Sequence, residues 1–194
     1  MCIYDVHLFR STHRILLFKG MNKLKVCLIG GPESGKSSFV KYVKENFNKD
    51  NISKKSTNTV IESGWDCKYY PTIGVSLAEI KYEDVTIGLW DTAGLEKYKG
   101  VGDGYYIKSN AAIAFYTKNT FKKTTKLVKD FKRVCPGAPI IYVWNKIDLQ
   151  CEKDTFAMKS KRIPDMISIS VKNNINCDEP MMILKQKLIK EKLN

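Results

Sequence analysis

Leu24-Lys25-Val26-Cys27-Leu28-Ile29-Gly30-Gly31-Pro32-Glu33-Ser34-Gly35-Lys36-Ser37-Ser38 runs from an apolar strand-like segment through a glycine-bounded loop into helix-forming residues. Gly30 to Ser37 fits G-x-x-x-x-G-K-[ST], and the strand before it and helix after it are the context that makes this string a phosphate loop. A phosphate group needs several backbone N–H donors converging on it, with the positive end of a helix behind them. Gly30, Gly31, Pro32, Glu33, Ser34, Gly35, Lys36, Ser37 and Ser38 are therefore candidate nucleotide-binding residues. Gly35 allows close backbone approach. Lys36 brings a mobile cation to the β- and γ-phosphates, and the Ser37 hydroxyl is a Mg²⁺ ligand. The competing reading is an ordinary strand–turn–helix with glycines in its turn.

Outward from this loop, apolar runs alternate with amphipathic segments of helical length, the pattern of a parallel α/β sheet covered by helices on both faces. Strands are predicted at Leu24–Ile29, Val75–Tyr82, Thr86–Trp90, Ala111–Tyr116, Ile140–Trp144 and Met166–Ile169. The second and third flank Glu83-Asp84 and are predicted to form an antiparallel hairpin at one edge. Helices are predicted at Lys36–Asn46, Phe121–Val134, Lys153–Lys161 and Pro180–Leu193, the last with Pro180 at its first position. The fold class is α/β: a P-loop NTPase with a six-stranded, mostly parallel sheet.

The remainder of the chain bounds that reading. At 194 residues and 43% hydrophobic content, the length suits one domain with a full core. Residues 1–20 are a poor secretory signal and are set aside as an N-terminal extension, with the domain at 21–194 and Met21 as a possible start. The polar, aperiodic residues 48–64 are expected to form a mobile insertion. No apolar run reaches the roughly 20 residues of a spanning helix. Six scattered cysteines lack metal-ligand spacing and suit a reducing compartment. The net charge of +13 suits acidic partners, or simply a lysine-rich solvated surface, and no aromatic–basic interleaving points to nucleic acid.

A second motif, Asn145-Lys146-Ile147-Asp148, follows the fifth strand. The Asp148 carboxylate can accept both the N1–H and the exocyclic N2–H₂ of guanine. Adenine lacks that donor pair and would leave the carboxylate unpaired, which costs kcal/mol. Lys146 would lay its aliphatic stem over the base, and Asn145 would tie this loop to the phosphate loop. The bland reading is a polar turn at a strand end, against which stand the motif's order and distance after the phosphate loop.

With Asp91-Thr92-Ala93-Gly94 and Thr72 added, the chain from about Lys23 onward resembles the small GTPases of the Ras superfamily. The likeness is greatest to the Ran branch, through Trp90–Gly94, Glu96-Lys97-Tyr98, Gly104-Tyr105-Tyr106-Ile107, Arg133-Val134-Cys135, Ser170-Val171-Lys172-Asn173-Asn174 and Glu179-Pro180. The resemblance implies GTP/GDP and Mg²⁺ as ligands. It implies metal contacts from Ser37, Thr72 and Asp91, a γ-phosphate contact from the Gly94 N–H, and a second base-side loop at Ser170, Val171 and Lys172. Trp65 would lie against the guanine ring, its alternative being a core or interface aromatic. Thr72 and Gly94 belong to two switches that order around the third phosphate. Lys36, Thr72, Gly94 and position 95 are the implied catalytic set.

The same resemblance implies a monomer with an exchange factor, an activator and transport receptors as partners, Lys97 and Tyr98 being candidate contacts. It would work in the cytoplasm or nucleus without a stable membrane anchor, since no cysteine follows Cys177 to form a prenylation box.

Several positions depart from the pattern. Leu95 stands where the family has the glutamine that orients the attacking water, so slow hydrolysis is expected. Pro32 removes one N–H from the loop and fixes φ. Glu33 places a carboxylate near phosphate, although Glu33-Ser34-Gly35-Lys36-Ser37 also resembles heterotrimeric G-protein α subunits, so that carboxylate is expected to point away. Gly102 replaces an arginine, and the acidic tail of Ran is replaced by a basic helix. These departures keep three other readings open: a GTP-locked scaffold or decoy for effectors, an unlipidated vesicle-traffic GTPase of the Rab type, and an ATP-using P-loop enzyme, the last opposed by Asn145, Lys146 and Asp148.

Overall fold

A computed structural model describes residues 23–47, 75–82, 85–92, 102–149, 163 and 165–191. The elements are β1 (Lys23–Ile29), α1 (Lys36–Phe47), β2 (Val75–Tyr82), β3 (Val85–Thr92), α2 (Gly102–Tyr106), β4 (Ala111–Tyr116), α3 (Phe121–Val134), β5 (Ile140–Trp144), a 3₁₀ turn (Ile147–Leu149), β6 (Ile167–Ser168) and α4 (Glu179–Glu191). The six strands form one sheet in the order β2-β3-β1-β4-β5-β6. All neighbours are parallel except β2 and β3, which pair antiparallel along their whole length from Val75↔Thr92 to Tyr82↔Val85. That is the α/β, mostly parallel arrangement expected, with its antiparallel hairpin at the edge.

The period-2 alternation of the central strands divides the interior into two cores. Leu24, Val26 and Leu28 of β1, with Ile113 and Phe115 of β4, meet Phe39 and Val43 of α1 and Met181, Leu184 and Leu188 of α4. On the other side Cys27, Ile29, Ala112, Ala114 and Tyr116 meet Tyr106 of α2 and Val128 and Phe131 of α3. Every residue of β4 is buried, as a strand covered on both sides must be.

The differences from the sequence reading lie at element ends and in short elements. β3 continues two residues past Trp90, through Asp91 and Thr92, because their backbones still pair with β1 and β2. β6 shrinks to Ile167–Ser168, paired only with Val143 and Trp144. α4 begins at Glu179, so Pro180 takes its second position rather than its first. The five-residue α2 was not anticipated, since GDGYY carries two glycines and no amphipathic period. The expected helix at 153–161, the insertion at 48–64 and the extension at 1–20 lie outside the described residues.

Phe131 is fully buried and meets the Tyr106 ring edge-on, at 5.4 Å between centroids and 78° between planes. It joins α3 to α2 and to the sheet. Phe131→Ala is expected to lower unfolding free energy by about 3–5 kcal/mol, since it removes a buried aromatic ring from a close-packed site. Urea denaturation would report this as a lower midpoint at unchanged slope.

Candidate functional site

β1 delivers the chain to the carboxyl edge of the sheet, where it turns through Gly30–Gly35 into α1. The turn demands residues without side chains. A Cβ on Gly30 would come within 2.5 Å of Ser34 Oγ and 2.9 Å of the Phe115 carbonyl oxygen. Gly35 has φ +93°, and a Cβ there would lie 2.1 Å from Asn145 Nδ2. Glu33 adopts the left-handed region at φ 57° and, like Pro32, is exposed.

Inside the loop, Lys36 is 6% exposed, with Nζ donating to the carbonyls of Gly30 (2.8 Å) and Gly31 (3.0 Å) and, at 3.4 Å, to Ser34 Oγ. Burial lowers its pKa to about 8, with Asp91 opposing the shift and Lys123 adding to it. The loop's donors do not all face inward as expected. The Gly31 N–H instead bonds Thr124 Oγ1 at 3.2 Å, and that hydroxyl donates to the Phe115 carbonyl at 3.2 Å. The start of α3 therefore braces the outside of the loop, and one amide fewer is available to a ligand.

Asp91, at the end of β3, reaches the first residues of α1. Ser37 Oγ donates to its Oδ2 at 2.5 Å, while Oδ1 is buried with no partner among the described residues. Burial raises the Asp91 pKa, against the lowering effects of the Ser37 bond and Lys36. A buried carboxylate oxygen without a donor is costly unless something else satisfies it. Together with the Ser37 oxygen it forms a hard-oxygen pair suited to Mg²⁺, which commonly takes one or two protein oxygens and fills its shell with water and phosphate. The residues fit the metal. Thr92 Oγ1 donates to the Leu28 carbonyl at 3.1 Å, holding the end of β3 against β1.

The base-side motif sits where β5 ends. Asn145 is 2% exposed and its Nδ2 donates to the Ser34 carbonyl at 2.9 Å, which ties this loop to the phosphate loop. Its Oδ1 accepts the Val171 N–H at 3.3 Å, so one side chain joins three loops. Lys146 follows with φ 64°. Ser170 Oγ donates to Asp148 Oδ1 at 2.6 Å and accepts the Asn173 N–H at 3.2 Å. Ser170 and Val171 are buried, whereas Lys172 is exposed.

The residues from Gly30 to Ser38, Asp91, Asn145, Lys146, Asp148 and Ser170 to Lys172 are thus gathered at one edge of the sheet. Trp65, Thr72, Gly94 and Leu95, with Lys97 and Tyr98, lie outside the described residues. Sequence reading missed Thr124, whose contact to Gly31 spans 93 positions. Its only sequence signal is a polar residue on the buried side of α3.

The depressed pKa of Lys36 has a measurable consequence. A bound phosphate favours the protonated amine, so above about pH 8 binding must take up a proton. Affinity for a nucleoside diphosphate is expected to fall by up to about tenfold per pH unit above that value, and to hold steady just below it. Titration calorimetry at pH 9 in buffers of different ionisation enthalpy would count the proton directly.

Residues 25–148 match the family model described as Ras of Complex, Roc, domain of DAPkinase. The match covers well over half of the chain and includes both the phosphate loop and the Asn145–Asp148 motif.

Proposed function

The chain belongs to the Roc family of Ras-superfamily GTPase domains, and from that premise we propose a Ran-like guanine-nucleotide switch that binds GTP and GDP with Mg²⁺ and hydrolyses GTP slowly. The observation that carries the guanine reading is the double tether of Asn145 to Ser34 and Val171, which fixes the base loop relative to the phosphate loop. Lys36 and the phosphate-loop amides hold the phosphates, Ser37 and Asp91 hold the metal, and Asp148 selects the base. Bound Mg²⁺ neutralises phosphate charge.

Competition against a fluorescent GDP tests this. GTP is expected to displace it at least about 100-fold more effectively than ATP, the size of preference a site gains from a carboxylate left unpaired by the wrong base. Equal displacement by ATP would end the guanine reading and leave an ATP-using P-loop enzyme.

The finer reading, a part in nucleocytoplasmic transport, rests on the Ran-like segments Gly104–Ile107, Arg133–Cys135 and Ser170–Asn174. Retention of transport receptors by the GTP-loaded but not the GDP-loaded protein supports it. Recruitment to one class of organelle membrane by a protein partner, in the GTP-loaded form alone, would favour the Rab-type reading. Leu95 and Pro32 favour the scaffold reading to the extent that GTP persists through a single-turnover assay.

A further inference from the structure

α3 carries six exposed residues, Lys122, Lys123, Lys126, Lys129, Lys132 and Arg133, and all six are cations. Its buried residues are Thr124, Val128 and Phe131, and its only acid, Asp130, is half-buried. Lys122, Lys126, Lys129 and Lys132 are spaced four, three and three residues apart, and none has an ion-pair partner among the described residues. Like charges at that spacing repel along a helix surface. The free domain therefore holds this face in an unfavourable state that a polyanion would relieve.

The character of the face selects among polyanions. Protein interfaces centre on aromatic, methionine and arginine anchors and are depleted in lysine, and this face has no exposed apolar side chain. Nucleic-acid sites that read bases or stack on them need arginine, amide or aromatic side chains, of which the face offers one arginine. Lysine is a point charge on a flexible stem, suited to a phosphate layer without fixed geometry. From Lys122 to Lys132 the exposed row is about 15 Å long, short enough for flexible lysine stems to reach a flat surface together. No described helix is long and apolar enough to cross a membrane.

We propose that the lysine face of α3 docks the domain reversibly on anionic phospholipid bilayers. The opposite face of the sheet carries α1 and α4, so docking through α3 leaves those helices turned away from the lipid. Each lysine near such a surface strengthens binding by about fivefold at low salt, and the attraction falls with ionic strength.

The test is co-sedimentation of the full chain with phosphatidylcholine vesicles containing or lacking phosphatidylserine. Binding is expected only with phosphatidylserine and is expected to weaken as salt rises. Lys126→Glu with Lys129→Glu should weaken it at least about 25-fold, while Lys41→Glu with Lys44→Glu, an equal charge change on exposed positions of α1, should change it less than about twofold. Nucleotide binding by both pairs checks that they are folded. Equal losses in the two pairs would reduce the effect to net charge and overturn the proposal. So would absence of phosphatidylserine-dependent binding, or tighter α3-dependent binding to duplex DNA or polyglutamate than to vesicles.

Discussion

Asp148→Asn is expected to lower affinity for GDP by about 100- to 1,000-fold, the cost of turning a charged acceptor facing two donors into a mismatched donor. The direction follows from a neighbour. Ser170 Oγ receives the Asn173 N–H and gives its own hydrogen to Asp148 Oδ1. In the variant that hydroxyl hydrogen needs an acceptor, so the new amide oxygen stays toward Ser170 and the new NH₂ faces the base. Guanine offers N1–H and N2–H₂ there, and donor meets donor. A base bearing a carbonyl at position 2 should recover much of the loss, making xanthosine diphosphate the better ligand of the variant. Competition titrations with both diphosphates measure the exchange of preference. Unchanged GDP binding would remove Asp148 from the base site, while a uniform loss for both would indicate that the loop had unfolded.

Much of this site was legible because its residues act through local geometry. Gly30 to Ser37 encode a loop by spacing alone, and the apolar runs on either side encode the strand and helix that present it. Asn145 and Asp148 were legible for the same reason, being at the end of a strand whose apolar run is unambiguous. What sequence could not show is contact across the fold. The Gly31 N–H is taken by Thr124, and the sequence marks it only by a polar residue on the buried side of α3, without saying what that residue meets. The same limit applies to β6, whose short run pairs only where Trp144 and Val143 offer an edge. It applies again to α2, where GDGYY has weak helical propensity and the tertiary setting decides. In that setting Tyr106 is buried against Phe131. The Tyr106 carbonyl accepts the Cys135 thiol at 2.8 Å, and the Ile107 carbonyl accepts Lys25 Nζ at 2.9 Å. These contacts fasten the end of α2 to β1 and α3, an arrangement the sequence pattern does not contain.

Leu95→Gln is expected to raise the single-turnover rate of GTP hydrolysis by roughly 10- to 100-fold, with GDP affinity unchanged within about twofold. The attacking water must be held in line with the bond to the leaving oxygen, and leucine offers it neither donor nor acceptor. Glutamine offers both. In comparable enzymes the full assisted step exceeds the unassisted one by about 10⁵-fold, near 7 kcal/mol, and the water-orienting residue is one part of that machinery. A gain of one to two decades, about 1.4–2.7 kcal/mol, is therefore the share expected from orientation alone. Pro32 is exposed in the phosphate loop, and its ring is expected to obstruct the approach of an activator's cation. Pro32→Gly in the Leu95→Gln background should add little to intrinsic turnover and more to activator-assisted turnover. A rate indifferent to Leu95→Gln would mean that water is positioned by another group, and the domain would then hydrolyse GTP by a different arrangement from the one its motifs imply.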